Sequence, residues 1–127
     1  MGDVTVRESR YAYAETRERL IGAIHAAGAT LFAAIDQSEA AGSVGLSLRP
    51  TTLLVFGNPK AGTQVMAAFP LSALDLPLKF AIWDDASAVR VAFTPARVIA
   101  TRYGITGLDP TIVAMDHALE ALVAAVG

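Results

Sequence analysis

The segment Gly57-Asn58-Pro59-Lys60-Ala61-Gly62-Thr63 holds the densest set of chemically able residues in this 127-residue chain. A phosphate-gripping loop needs lysine and then serine or threonine directly after its second glycine, so that the ammonium reaches the phosphates. Here Thr63 and Gln64 stand in those places, which excludes a nucleotide-hydrolysing loop. What survives is a capped helix start, with Asn58 as N-cap, Pro59 at the first helical position, and Lys60 and Thr63 nearby. Free N–H groups at a helix start attract anions. The segment is therefore either an ordinary strand-to-helix turn or one wall of a small anion site.

The remaining candidates are more scattered. Asp36, Asp75, Asp84 and Asp85 could supply an acid–base pair if the fold brought two together, although Asp84-Asp85-Ala86-Ser87 also reads as turn chemistry. Asp75 and Lys79 are four residues apart, but Pro77 between them speaks against a helical pair. Lys79 alternates onto the same strand face as Trp83, where both could meet a ligand or partner. The only imidazoles are His25 and His117. Asp116, His117 and Glu120 read as a solvated helix face, because a metal site needs three or four convergent ligands. The chain has no cysteine, hence no disulfide, thiolate site or cysteine nucleophile. It also lacks a Gly-x-Ser-x-Gly nucleophile elbow. No metal or cofactor is expected, and no catalytic residue can be assigned.

The elements that must position these groups follow from periodicity. Val4 and Val6 alternate with polar neighbours as a short strand. A helix is predicted from about Tyr13 to Ala27, with Leu20, Ile21 and Ile24 as its apolar stripe, a Glu15–Arg19 pair, and Gly28 as its stop. Thr30 to Asp36 reads as a strand, Gln37 to Gly45 as a loop, and Thr51 to Gly57 as the strongest strand. There Leu53 and Val55 face one way and Leu54 and Phe56 the other, so both faces must be covered. Helices can cover one face, and a second subunit is a candidate for the other. A short helix runs from Pro59 to about Ala68. Leu78 to Trp83 and Val89 to Phe93 form a strand pair, and Pro95 starts a short helix ending at Gly104. The last helix, about 109–126, takes Asp109 as N-cap and Pro110 at N1, with Ile112, Met115, Leu119, Leu122 and Val126 at helical spacing. Its alanines, Ala114, Ala118, Ala121 and Ala125, give good propensity or a close-packing stripe. The order predicts one α+β domain over 1–127, two-layered, with helices on one face of a mostly antiparallel sheet.

Charged residues make up 17% and hydrophobic residues 54%, with a formal charge of −2. Typical domains carry about 25% charged residues, so a surface this poor in charge suits self-association. The scattered bases argue against nucleic-acid binding. No run approaches the ~20 apolar residues of a membrane span, and the start shows neither a secretory signal nor a myristoylation motif. The expected setting is the cytoplasm, away from membranes.

Four segments carry a resemblance: Phe32-Ala33-Ala34-Ile35-Asp36; the run Arg49-Pro50-Thr51-Thr52-Leu53-Leu54-Val55-Phe56 continuing through Gly57–Thr63; Leu74-Asp75-Leu76-Pro77-Leu78-Lys79; and Trp83-Asp84-Asp85. Together, from about Val4 to Ile105, they resemble the domain-of-unknown-function family 302. The resemblance implies a β-α-β(4)-α arrangement like that of the TATA-binding-protein class, often dimeric, with no DNA-binding implication given the charge. It implies no activity, but it marks Asp36, Asn58, Lys60, Asp75 and Lys79 as a shared polar set. The chain departs from the pattern at Gln37, at Arg102-Tyr103-Gly104-Ile105, and in the shortened Phe93-Thr94-Pro95. Family members often carry histidine at the first two places, so any histidine-borne metal or haem role is lost here.

The leading expectation is a homodimeric domain that binds a small anionic ligand near Asn58-Pro59-Lys60, with Asp36, Thr63, Asp75, Lys79 and Trp83 as further site candidates. The rivals are a protein–protein interaction module without a ligand, and an enzyme using Asp36 or Asp75 with Lys60.

Overall fold

The computed structural model describes residues 3–127, so the reading of Met1 and Gly2 lies outside the described residues. The elements are β1 (Thr5–Glu8), α1 (Tyr13–Ala26), β2 (Thr30–Asp36), α2 (Gln37–Ser43), β3 (Thr51–Gly57), α3 (Pro59–Ala68), a 3-10 turn (Pro70–Leu74), β4 (Leu78–Asp84), β5 (Val89–Phe93), α4 (Ala96–Arg102) and α5 (Asp109–Val123). All five strands form one sheet in the order β1-β5-β4-β3-β2, and every pairing is antiparallel. Because β1 and β2 are the two edges, α1 crosses the whole sheet to join them.

One face of the sheet is the core. Leu54 and Phe56 of β3, Phe80 and Ile82 of β4, and Val91 and Phe93 of β5 are buried there. Phe80 stacks on Phe56 at 4.8 Å between centroids and meets Phe93 edge-on at 5.6 Å. Leu20 and Ile24 of α1 and Met115, Leu119 and Leu122 of α5 close over them, as the helical spacing predicts. Val126, the last residue of that stripe, is fully buried just beyond α5. Burying such side chains contributes about 1.5–3 kcal/mol each.

Among the described residues, the opposite face has no helix of comparable burial against it. Leu53 and Val55 of β3, Ala81 and Trp83 of β4 and Ala92 of β5 remain half-buried, the alternate positions of strands whose other face is core. Val6 and Ile35, on the edge strands, are 47% and 41% exposed.

Two expectations are corrected. The predicted loop after Asp36 is the helix α2. It forms because the Asp36 carboxylate accepts from Glu39 N–H at 2.9 Å and from Ser38 Oγ at 2.7 Å, which satisfies an otherwise orphaned donor of the first turn. At the start of α5 the N-cap is Leu108 rather than Asp109, with Asp109 and Pro110 already inside the helix. The bond from Ile112 N–H to Leu108 O at 3.0 Å sets that register.

Candidate functional site

A deep concavity opens at the end of the sheet where β3 finishes and β2 and β4 begin. The turn after α1 (Ala27, Gly28, Ala29) forms one wall. Gly28 has φ +75° there, the left-handed conformation that glycine adopts without a Cβ clash. Phe32 stands at the irregularity in the β2–β3 ladder, and Phe56 and Gly57 form the floor. The first two turns of α3 and the exposed Ala114–Ala118 side of α5 complete a cleft of about 650 Å³. That volume lies within the range of small-molecule sites, roughly 300–1,000 Å³. Among the described residues its lining is apolar or small throughout, apart from Asn58, Thr63 and Thr111, and none of those that line it is charged.

Of the seven residues singled out from sequence, two face this cleft: Asn58 and Thr63. Asn58 is the N-cap of α3, as its place before Pro59 predicts. Its Oδ1 accepts from the N–H groups of Lys60 at 2.9 Å and Ala61 at 3.5 Å. Gly62 N–H bonds to Asn58 O at 3.0 Å, and Pro59 has no N–H. The first turn of α3 thus offers an anion no free main-chain donor. Lys60 is exposed and does not line the cleft.

Asp75 and Lys79 belong to a second constellation. The Asp75 carboxylate accepts from Tyr103 Oη at 2.7 Å and Arg102 Nη1 at 2.6 Å, tying the loop before β4 to the end of α4. The Tyr103 hydrogen bond and the Arg102 guanidinium hold its pKa below the usual carboxylate range, while the same bond pushes the Tyr103 phenol up. Lys79 folds back to donate to Pro77 O at 2.8 Å and Asp75 O at 3.3 Å. Burial lowers its pKa, against the raising effect of Asp75. These contacts hold a loop in place, and the Asp75 carboxylate is engaged by Arg102 and Tyr103.

Asp36 and Trp83 lie at the far end of the sheet. Asp36 pairs with Thr52 and Trp83 with Thr51, whereas Lys60 follows the other end of β3. The intervening strand is roughly 20 Å long at ~3.3 Å per residue, so Asp36 and Lys60 do not meet a common substrate. The shared polar set is spread over three places.

Sequence reasoning missed the apolar side of the cleft and one structural carboxylate. Asp116, placed with the solvated face of the last helix, accepts from Ala96 N–H at 2.6 Å and Arg97 N–H at 3.3 Å, capping α4 from another helix. Pro95 and Ala96 offer no side-chain cap of their own, and only that lack hinted at a donor-satisfying group from elsewhere. Glu120 pairs with Arg7 of β1 at 3.3 Å.

Fold and cleft together define the class: a small two-layer α+β domain, one sheet face covered by helices, with an uncharged cleft at one end of the sheet. The chain belongs to the family described as domain of unknown function DUF302, matching it over residues 5–122, through nearly all of α5. Among solved structures, an uncharacterised conserved DUF302 protein from Bacillus stearothermophilus superposes with a TM-score of 0.88 at 16% identity, covering 100% of both chains. At that identity the likeness is one of fold. Curated relatives include a protein named fluoride-specific ion channel FluC 1 from Brucella suis biovar 1, 36% identical over 99% of this chain and 47% of that protein. A second, named fluoride-specific ion channel FluC 2, from Brucella melitensis biotype 1, is 36% identical over 99% of this chain and 44% of its own length. The chain spans about half the length of the curated relatives it matches. Among the described residues, no helix is long and apolar enough to cross a membrane.

Proposed function

We propose that this domain binds a small molecule in the cleft between α3, α5 and the α1–β2 turn. The cleft itself carries the reading: about 650 Å³ of concave space with a few polar groups among apolar walls, the usual make-up of a ligand site. Asn58 and Thr63 are the sequence-named residues we place in that site. Thermal unfolding against a library of small molecules tests it. A ligand at ~100 times its dissociation constant adds about 2.7 kcal/mol, or about 10 °C for a domain of this size. If no compound shifts the midpoint, the reading falls.

A second reading, self-association, rests on the uncovered sheet face. A second copy laid on Leu53, Val55, Trp83 and their neighbours would shield the apolar surface that the helices leave bare, consistent with the low charge content. The relatives named as channels suggest a role for such a module. With no membrane-crossing helix among its described residues, this chain would serve not as a conduction path but as an accessory domain answering to its ligand beside a membrane protein. Co-purification with a membrane partner that depends on the sheet face would support that role, and indifference to the face would remove it.

A further inference from the structure

We infer that the cleft selects an uncharged molecule, mainly aromatic or hydrocarbon, with one hydrogen-bond acceptor lodged against the starts of α3 and α5; this rests on the cleft being the ligand site. Phe32, Phe56, Met66, Pro77, Met115 and Leu122 supply the walls. A full charge placed against them loses its hydration without gaining a counter-charge, which disfavours it strongly. The first-turn amides of α3, the usual anion donors, are already occupied by Asn58.

What remains at the polar end are side-chain donors. Because Asn58 Oδ1 faces the helix, its Nδ2 is turned away from the cap. Both residues are exposed, and among the described residues neither Asn58 Nδ2 nor the Thr63 hydroxyl bonds to another protein group, so a ligand competes there with solvent alone. Thr111 is tied across to Gln64 at 3.4 Å, joining α5 to α3 at this end. A ketone, ester, amide or neutral ring nitrogen satisfies these groups. The Met66 and Met115 thioethers adapt to aromatic faces. Charge selection of this kind reverses the anionic ligand expected from sequence.

Two fluorescent probes on the same naphthalene frame separate the possibilities: neutral 6-propionyl-2-dimethylaminonaphthalene, which carries a ketone, and anionic 6-(p-toluidino)-2-naphthalenesulfonate. We expect the ketone to bind at least ~10-fold more tightly, a difference of about 1.4 kcal/mol. Ala118→Phe and Ala114→Phe, which fill the cleft from the exposed side of α5, abolish binding while circular dichroism stays unchanged. Asn58→Asp keeps the helix cap but removes the free donor, and should weaken ketone binding ~10-fold. Equal or tighter sulfonate binding that Ala118→Phe abolishes overturns the charge selection and leaves the cleft as a site. Undiminished ketone binding in Asn58→Asp overturns the acceptor placement. If neither probe binds, or both survive Ala118→Phe and Ala114→Phe, the cleft reading falls as well.

Discussion

Asp75 and Asp116, both half-buried, carry more of this fold than their places in the sequence suggest. Removing the Asp75 carboxylate frees Tyr103, leaves Arg102 its pairing with Asp3, and unties the loop before β4, so Asp75→Ala should cost about 1–2 kcal/mol, as hydrogen bonds to a partly exposed charge do. Urea denaturation at pH 7 measures it. The pH dependence has a definite sign. The folded pKa of Asp75 is depressed, so its stabilisation is complete above the unfolded value of about 3.9 and is lost as pH falls through the folded pKa. Asp75→Asn should flatten that acid limb. Asp85 accepts from Ser87 Oγ at 2.7 Å and from the N–H groups of Ser87 and Ala88 at 3.1 Å, and also binds Arg90. The Ser87 bond is the largest influence bringing its pKa to about 2, and a carbon-detected NMR titration should find its midpoint there. Asp116→Ala should cost about 1 kcal/mol, the ordinary price of a lost helix cap, even though Asp116 lies twenty residues from the α4 amide it serves.

At the scale of elements, β2, β3 and α3 have the bounds their residues predict, because each carries a strong local signal. β3 has apolar side chains on both faces, and α3 begins with Asn58-Pro59, where cap and ring both favour a helix start. The helix α2 escaped notice for the opposite reason. Gln-Ser-Glu-Ala-Ala-Gly-Ser has no apolar stripe, and none of its residues is buried, so periodicity carries no information. Its one clue was the Asp36-x-x-Glu39 spacing, which places an acidic residue at the third helical position. The asymmetry of β3 is testable by truncation. Leu54→Ala, in the core, should lose about 2–5 kcal/mol, whereas Leu53→Ala, on the uncovered face, should lose much less in a dilute sample. Chevron or equilibrium unfolding distinguishes the two.

At the scale of the whole molecule, two measurements bear on association and on the channel-named relatives. If a second copy covers the sheet face, light scattering at micromolar concentration should give twice the chain mass, and the double variant Val6→Lys/Ile35→Lys should give the monomer with an unchanged fold. A wild-type monomer would leave the face for a different protein. Fluoride should not raise the unfolding midpoint, because among the described residues no cationic side chain lines the cleft and the first-turn amides of α3 are engaged. A reproducible rise would place an anion site on this domain and revive the reading centred on Lys60.

The sequence by itself determined the class of the fold, the α1 and α5 core stripes and the β3 strand, since the order, periodicity and propensity of the elements are written within a few turns of chain even where the strands they form pair far apart, as β1 does with β5. It also pointed to Asn58 and Thr63 as neighbours on one helix start. Only the tertiary structure decided which candidates meet. Asp36 and Trp83 were carried to the far end of the sheet by the length of β3, and Asp75 and Lys79 were drawn into a loop tie by Arg102 and Tyr103. The cleft itself is built from small and apolar residues of five separate segments, each locally indistinguishable from ordinary core or helix. Its uncharged character is a property of their convergence, which no single stretch of the chain contains.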